Sequence, residues 1–236
     1  MSVDKSPTRV RRMFGEIAGR YDLLNHLLSL GIDRRWRRQT TRLVPPEGSG
    51  PVLDVCTGTG DLALAYWRAG RGQVKVVGTD FCRPMLVIGH EKIERAGASE
   101  SVSLVEADTR KLPFANDRFQ IVSVAFGLRN VDNTDHGLAE MVRVCRPGGR
   151  VAVLEFSTPQ RWPFRTIYHW YFKRILPRVG QLLAKNRQSA YNYLPRSVSQ
   201  FPEGEALAER MRRARLKQIE YHQLTFGVAT LYVGKK

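Results

Sequence analysis

The segment VLDVCTGTGDLAL, at residues 52–64, contains the residue types and spacing of a nucleotide-binding turn. An apolar run ends at the glycines and a helical pattern follows them. Gly58, Gly60 and Ala63 match the spacing G-x-G-x-x-G/A, and Asp80 lies 20 positions beyond Gly60. Such a turn serves either a dinucleotide, through its pyrophosphate, or a sulfonium cofactor that carries no phosphate.

The charges beside the glycines distinguish these two chemistries. Asp54 lies near the end of the predicted first strand, and Asp61 directly follows Gly60. A carboxylate at a helix start caps the helix and repels phosphate. An ammonium and a sulfonium would instead gain from it, so the residues favour S-adenosylmethionine. The structural alternatives are a loop cap at Asp54 and a helix N-cap at Asp61.

Acidic residues also end the next two predicted strands. Asp80 can accept hydrogen bonds from two ribose hydroxyls, and Asp108 from an adenine amino group. Because the carboxyl ends of parallel strands meet at one edge of a sheet, we expect these side chains to lie close together.

Strand and helix patterns alternate after a breaker segment at 44–50. Such alternation predicts an α/β fold, with a mostly parallel sheet, helices on both faces and an antiparallel C-terminal strand pair around Gly227. We expect one domain made of a helical cap (1–45), a cofactor-binding core (51–156), an insertion (157–202) and a C-terminal part (203–236). Strands are predicted at 51–56, 73–80, 101–108, 118–127 and 150–157, and helices at 8–42, 61–70, 83–97, 134–149 and 203–214.

The chain is strongly basic, with 38 Lys and Arg against 22 Asp and Glu and a net charge of +16. Such a surface attracts nucleic acid, anionic lipid or acidic ligands, and general solubility is the alternative. No apolar stretch is long enough to span a bilayer, and the first residues lack a secretory pattern. The widely spaced Cys56, Cys82 and Cys145 predict a reduced, cytoplasmic compartment and no metal site.

Four blocks outside the turn resemble one family. They are YDLLNHLLSLGIDRRWRR (21–38), FGLRNV (126–131), RVCRPGGRVAVLEFSTP (143–159) and YNYLPRSVSQFP (191–202). Together they resemble the quinone C-methyltransferases, which make menaquinone and ubiquinone from their demethyl precursors. The resemblance covers the chain from about Phe14 to Lys236. It implies a Rossmann-like class I methyltransferase fold, S-adenosylmethionine as cofactor and a prenylated quinol, foremost demethylmenaquinol, as acceptor.

Spacing, charge and resemblance together give eight expected cofactor residues. Two positions depart from the family, because Cys56 stands where many methyltransferases have glycine and Ala125 stands where some members have serine. No site is therefore expected at Ala125. The expected cofactor residues are Asp54, Gly58, Thr59, Gly60, Asp61, Asp80, Asp108 and Thr109.

We expect Arg129 and Asn130 to be catalytic, by stabilising a phenolate or holding a relay water. The alternative for Arg129 is an ion pair with a neighbouring carboxylate. His169 and His222 are weaker candidates for a base, since an isolated histidine is more often structural. The expected quinol pocket is lined by Tyr21, Asn25, Tyr193 and Ser197; for the two tyrosines, half-buried packing is the alternative.

The insertion combines aromatic and basic residues, which is typical of a helix lying in a membrane interface. We therefore expect peripheral binding to an anionic membrane at its inner face and no nucleic-acid partner; the alternative is a lid helix packed on the core. Another phenolic or lipid acceptor, an RNA acceptor, an NAD-dependent oxidoreductase and a non-enzymatic nucleic-acid-binding domain are the competing functions. The aromatic and basic pattern of the insertion consists of Trp162, Phe164, Ile167, Trp170, Tyr171, Ile175 and Leu176 among Arg165, Lys173, Arg174 and Arg178.

Overall fold

The computed structural model of the protein describes residues 4–48, 50–171, 174 and 190–236. Across these residues, seven strands form one sheet in the order β3-β2-β1-β4-β5-β7-β6. Strands β1 to β5 pair in parallel, and β7 pairs antiparallel with both β5 and β6. The predicted α/β sheet with an antiparallel C-terminal pair is confirmed. The strands are β1 Val52–Val55, β2 Val76–Asp80, β3 Val102–Glu106, β4 Phe119–Ala125, β5 Cys145–Phe156, β6 Lys217–Leu224 and β7 Ala229–Lys235.

Helices lie around the sheet and over its carboxyl edge. They are α1 Pro7–Leu28, α2 Ile32–Leu43, α3 Asp61–Ala69, α4 Arg83–Arg95, α5 Thr134–Val144, α6 Phe164–Trp170, α7 Ala190–Gln200 and α8 Glu205–Arg213. The continuous helical pattern expected at 8–42 is two helices, because the chain reverses at Gly31, whose φ is +74°. Glycine adopts this left-handed conformation without steric cost.

A second difference lies at residues 145–149, where we expected the end of a helix. The structure ends α5 at Val144 and starts β5 at Cys145. Pro147 cannot donate a helical hydrogen bond, and Gly148 has a φ of +72°. These two residues therefore favour the extended edge over a further helical turn.

The strand order places the switch of direction between β1 and β4. In open parallel sheets, ligands bind beyond the carboxyl ends of the strands on either side of this point. Both strands are nearly completely buried. Helix α1 packs on α4 beside it, so the N-terminal cap helps to form the walls of the crevice.

Candidate active site

A cleft of about 690 Å³ lies at the carboxyl edge of the sheet. Residues that follow β1, β2, β3 and β4 line it on one side, and the start of the chain and α1 line the other. The lining includes Lys5, Pro7, Phe14, Tyr21, Cys56, Gly58, Asp80, Phe81, Met85, Asp108, Thr109, Arg110, Phe126, Gly127, Asn130 and Asp132.

The glycine turn winds tightly between β1 and α3. Cys56, Gly58 and Gly60 all have positive φ, at +50°, +57° and +80°. The backbone N–H of Gly58 donates to Oδ2 of Asp80 at 2.9 Å. A side chain at Gly58 would be strained in this conformation, so the glycine allows the backbone to form the cleft wall.

Asp80 is the buried carboxylate of this cleft, with 8% of its surface exposed. Its Oδ1 accepts from the backbone N–H of Cys82 at 2.8 Å. Burial raises the pKa of Asp80 to about 6, although backbone hydrogen bonds from Cys82 and Gly58 oppose the shift. Each carboxylate oxygen keeps a second lone pair, so above that pH Asp80 can still accept from two ligand hydroxyls.

Asp108 and Thr109 lie beside Asp80 in the same cleft. Asp108 pairs with Arg110, whose Nη2 is 2.7 Å from Oδ2. The hydrogen bond from Arg110 holds the pKa of Asp108 below its usual value. The hydroxyl of Thr109 is 3.2 Å from Sγ of Cys56, so it ties the strand ends together.

Other expected cofactor residues lie outside the cleft lining. Asp54 is 1% exposed and accepts from the hydroxyls of Thr57 at 2.6 Å and Ser123 at 3.0 Å. Burial raises the pKa of Asp54 to about 7. A Cβ at Gly60 would face Ile93, not the cleft. Asp54 therefore stabilises the glycine turn through Thr57 and does not face the cleft, which agrees with the alternative interpretation of Asp54 as a loop cap.

Thr59 and Asp61 belong to a polar cluster behind the turn. Asp61 pairs with Lys92 and lies 3.7 Å from Nη2 of Arg37. The hydroxyl of Thr59 donates to Asp22 at 2.6 Å, and Lys92 also pairs with Asp22 at 2.7 Å. The charge of Asp61, which we expected to meet the cofactor, is balanced within the protein. Its Coulombic partners Arg37 and Lys92 hold the pKa of Asp61 below its usual value against the opposing effect of burial.

The same cluster brings His26, Asp33 and Asp61 together, with ligand atoms within 4.8 Å of one another. Nδ1 of His26 is 2.8 Å from Asp33, and Nη1 of Arg37 is 2.5 Å from the same oxygen. Arg37 thus occupies the position beside the carboxylates that a cation would take. We assign the cluster to the contact between cap and core.

A second cavity, of about 1540 Å³, adjoins the first. Four residues line both cavities: Phe14, Tyr21, Phe126 and Asn130. The lining of the larger cavity is mainly apolar and aromatic, which suits a hydrophobic ligand. Its remaining walls include Met13, Ile17, Leu28, Leu30, Ile32, Trp36, Phe156, Phe164, Ile167, Tyr168, Tyr171, Leu194, Phe226 and Val228.

An aromatic wall, formed by Trp36, Phe126 and Phe156, lies on one side of the larger cavity. The ring centroids of Phe126 and Phe156 are 4.5 Å apart, and that of Trp36 is 5.7 Å from Phe126. Nε1 of Trp36 donates to the hydroxyl of Thr225 at 2.8 Å. These three residues were not predicted as site residues. The aromatic residues within FGLRNV and DRRWRR could have indicated an aromatic cavity wall.

Arg129 and Asn130 lie in the 3₁₀ turn Leu128–Asn130 that follows β4. Arg129 lines the larger cavity and pairs through Nη1 with Oε2 of Glu155 at 2.7 Å. The structure therefore contains the ion pair with a neighbouring carboxylate that was the alternative interpretation of Arg129. Glu155 was not predicted as a site residue. A single acidic residue within the apolar run VAVLEF could have indicated it, because a buried carboxylate needs a partner.

The expected quinol-pocket residues separate into two groups. Tyr21, Asn25 and Tyr193 line the larger cavity, and the Tyr193 hydroxyl donates to Oδ1 of Asn130 at 3.1 Å. Burial raises the pKa of the Tyr21 hydroxyl. Ser197 is fully buried and donates to the carbonyl of Leu194 at 2.9 Å, within its own helix. It lines neither cavity.

Large apolar side chains are exposed around the mouth of the larger cavity. Leu30, Ile167 and Phe226 line the cavity and are 80%, 56% and 67% exposed. Trp162 and Trp170 are exposed nearby in the chain. No helix in the described part of the chain is both long and apolar enough to cross a bilayer. The predictions for Lys173, Ile175, Leu176, Arg178 and the side chain of His169 lie outside the described residues.

Comparison with protein families gives one match over nearly the whole chain. Residues 2–236 match the ubiE/COQ5 methyltransferase family. The chain is 41% identical to demethylmenaquinone methyltransferase of Bacteroides fragilis, over 98% of this chain and 94% of that protein. It is 45% identical to the ubiquinone/menaquinone biosynthesis C-methyltransferase UbiE of Geobacter sp. strain M21, over 97% and 96% of the two chains. It is 46% identical to demethylmenaquinone methyltransferase of Thermus thermophilus, over 95% and 100%.

Solved structures share the fold at lower identity. The [4+2]-cyclase SpnF superposes with a TM-score of 0.70 at 15% identity, over 96% of this chain and 94% of that one. A SAM-dependent methyltransferase of Thermotoga maritima, a possible histamine N-methyltransferase, has a TM-score of 0.67 at 16% identity, over 95% and 98%. A cyclase and a methyltransferase on one fold show that chemistry must be argued from the site.

Proposed function

This chain belongs to the ubiE/COQ5 methyltransferase family, and from that premise we propose that it uses S-adenosylmethionine to methylate a ring carbon of a demethylated prenyl quinol. Demethylmenaquinol is the acceptor we favour, because two of the relatives described above carry the name demethylmenaquinone methyltransferase. One observation carries the proposal. The cleft at the strand ends, which Asp80 and Asp108 line, shares four lining residues with a larger apolar cavity.

The residues of the smaller cleft fit the cofactor. Asp80 offers ionised acceptor oxygens for ribose hydroxyls, and the turn at Gly58 lets the backbone approach closely. Asp108 and Thr109 line the same cleft as Asp80, and in our proposal they hold the adenine ring. We therefore assign cofactor contacts to these four residues, and supporting roles to Asp54, Thr59, Gly60 and Asp61. When bound, S-adenosylmethionine supplies an electrophilic methyl group on a sulfonium.

The larger cavity would hold the acceptor. Its mainly apolar and aromatic walls suit a quinol ring and the start of a prenyl tail. The ring would lie against the aromatic wall, next to the shared residues Tyr21 and Asn130. Alignment of the ring carbon and exclusion of water are the main demands of such a transfer.

As the ring carbon bonds to the methyl group, the methyl–sulfur bond breaks, S-adenosylhomocysteine leaves and the adjacent hydroxyl passes its proton to a relay water. Loss of the ring-carbon proton and reprotonation of the oxygen then restore the aromatic quinol. Arg129 lines the acceptor cavity and would donate to the phenolate oxygen that develops. Asn130 stands at the boundary of the two cavities, and Tyr193 fixes its side-chain amide. In the described part of the chain no histidine lines either cavity, and His222 lies on β6 with Nε2 3.8 Å from Glu220.

We further propose that the mouth of the acceptor cavity docks on an anionic lipid surface. Exposed Leu30, Ile167 and Phe226 stand at the mouth. Arg34 and Arg35, near the start of α2, and Arg165, on the same helix as Ile167, are exposed as well. A chain with a net charge of +16 is attracted to anionic headgroups. Because the quinol tail dissolves in the bilayer, docking there would let the acceptor enter without crossing water.

A methyl-transfer assay tests the proposed reaction. The purified protein and labelled S-adenosylmethionine are offered short-tail demethylmenaquinol, a demethylated benzoquinol or bulk RNA under reducing conditions. Label in the naphthoquinol is the expected result. Label in the benzoquinol alone would show that the acceptor is a benzoquinol and not a naphthoquinol. Label only in RNA would refute the proposed quinol acceptor.

Vesicle sedimentation tests the docking surface. We expect the protein to sediment with phosphatidylglycerol vesicles, much less with phosphatidylcholine vesicles, and less at high salt. Ile167→Glu and Phe226→Glu should weaken sedimentation, whereas Val87→Glu, at an exposed apolar position on α4, should not. Equal sedimentation of all variants would contradict this assignment of the docking surface.

A further inference from the structure

Glu155 lies on an interior strand of the sheet, near the end of β5. It is 1% exposed, and the preceding residues from Val151 to Leu154 are completely buried and apolar. A carboxylate in such surroundings is costly unless a charged partner and hydrogen bonds compensate it. The contacts of Glu155 therefore indicate why an acidic residue stands in this strand.

Both oxygens of Glu155 bind the same neighbour. Oε2 accepts from Nη1 of Arg129 at 2.7 Å, and Oε1 accepts from the backbone N–H of Arg129 at 3.2 Å. The carbonyl of Phe126 also accepts from Nη1. Glu155 thus fixes Arg129 through both its backbone and its guanidinium. It lines neither cavity, so any effect it has on the reaction passes through Arg129.

The guanidinium of Arg129 keeps donor capacity at the wall of the acceptor cavity. Arg129 is 5% exposed, and its Nε has no hydrogen-bond partner among the described residues. Its Cζ lies 5.2 Å from the ring centroid of Phe156, which belongs to the aromatic wall. Buried N–H groups are nearly always paired, so the Nε of Arg129 lacks a partner that such a group normally has.

We infer that Glu155 is a positioning residue for methyl transfer. It holds the guanidinium of Arg129 beside the ring of Phe156, where Arg129 donates to the acceptor oxygen as that oxygen gains negative charge. It also balances the charge of Arg129 while the acceptor is neutral. This inference rests on the proposed quinol methylation and adds to it the residue that orients the donor.

The test is a mutant cycle on the full-length protein with demethylmenaquinol and S-adenosylmethionine. Four variants are compared with the unmodified protein: Glu155→Gln, Glu155→Asp, Arg129→Ala and the double variant Arg129→Ala/Glu155→Gln. Glu140→Gln is the matched control, because Glu140 also binds an arginine, Arg143, and a backbone N–H, that of Leu112, outside both cavities. Cofactor affinity and melting temperature report folding.

We expect Glu155→Gln to lower kcat about 100-fold, the usual cost of misplacing a catalytic group by about 1 Å, with the acceptor KM and the cofactor Kd nearly unchanged. Glu155→Asp keeps the charge and should recover part of kcat. In the Arg129→Ala background, Glu155→Gln should have no further effect on kcat. Glu140→Gln should leave kcat unchanged.

Two results would overturn the inference in an active enzyme: a Glu155→Gln variant with the kcat of the control, or equal losses with and without Arg129. If Glu155→Gln does not fold alone, the comparison of Arg129→Ala with the double variant still decides, because the double variant removes both buried charges. An unmodified protein that binds the cofactor but methylates no quinol would refute the proposed function, and this inference with it.

Discussion

Asp80→Ala isolates the carboxylate that we assign to the ribose. In the structure Asp80 accepts two backbone N–H groups and keeps two lone pairs for a ligand. Loss of a charge-assisted contact costs about 1.5–3 kcal/mol, which corresponds to about a 10- to 150-fold weaker Kd. The turn at Gly58 also loses an anchor, so the measured effect should lie in the upper part of this range.

Titration calorimetry with S-adenosylhomocysteine measures this effect, and Asp135→Ala, at an exposed site on α5, serves as the control. Burial raises the pKa of Asp80 to about 6. The ionised form is the better acceptor, so affinity should fall as the pH falls through about 6. Asp80→Ala should lack this pH dependence.

A deoxyribose analogue of S-adenosylhomocysteine sharpens the test. The unmodified protein should bind it more weakly than the natural compound, because a hydroxyl that donates to Asp80 is missing. Asp80→Ala should bind the two compounds about equally. A folded Asp80→Ala protein whose affinity at pH 7.5 is within twofold of the unmodified protein would refute the assignment.

Three further predictions concern other parts of the site. Arg129→Ala should slow turnover about 100-fold or more while calorimetry shows cofactor affinity nearly intact; full-rate turnover would remove Arg129 from the mechanism. Burial raises the pKa of Asp54 from 3.8 to about 7, so the native state binds the proton more tightly and its stability relative to Asp54→Asn should fall as the pH rises from about 4 to about 7; a flat difference in urea unfolding would contradict this. Gly127→Ala would place a Cβ 2.4 Å from that of Cys56, which should lower stability by about 1–3 kcal/mol. Cys56→Gly, which suits the positive φ at that position, should restore the melting temperature, and its failure to do so would rule out this clash as the cause.

Much of the fold follows from local sequence patterns. Alternating strand and helix periods predict the parallel sheet, since each pattern depends on residues close together in the chain. Parallel strands meet at one edge, so Gly58, Asp80 and Asp108 were expected together, and all three line one cleft. The break at Gly31 was missed because apolar spacing continues across it. The helix predicted over 134–149 was too long, since Pro147 and Gly148 favour the extended start of β5.

The sequence alone thus determined which residues reach the carboxyl edge of the sheet, because strand and helix periodicity is a local property. Tertiary structure decided what each of them faces there. Asp61 meets Lys92 from a different helix, and Arg129 meets Glu155 from a neighbouring strand. Charge partners and cavity walls come from segments far apart in the chain, so no local pattern specifies them. The acceptor cavity has the same origin, because α1, α2, the segment after β4, β5 and the insertion each contribute part of its wall.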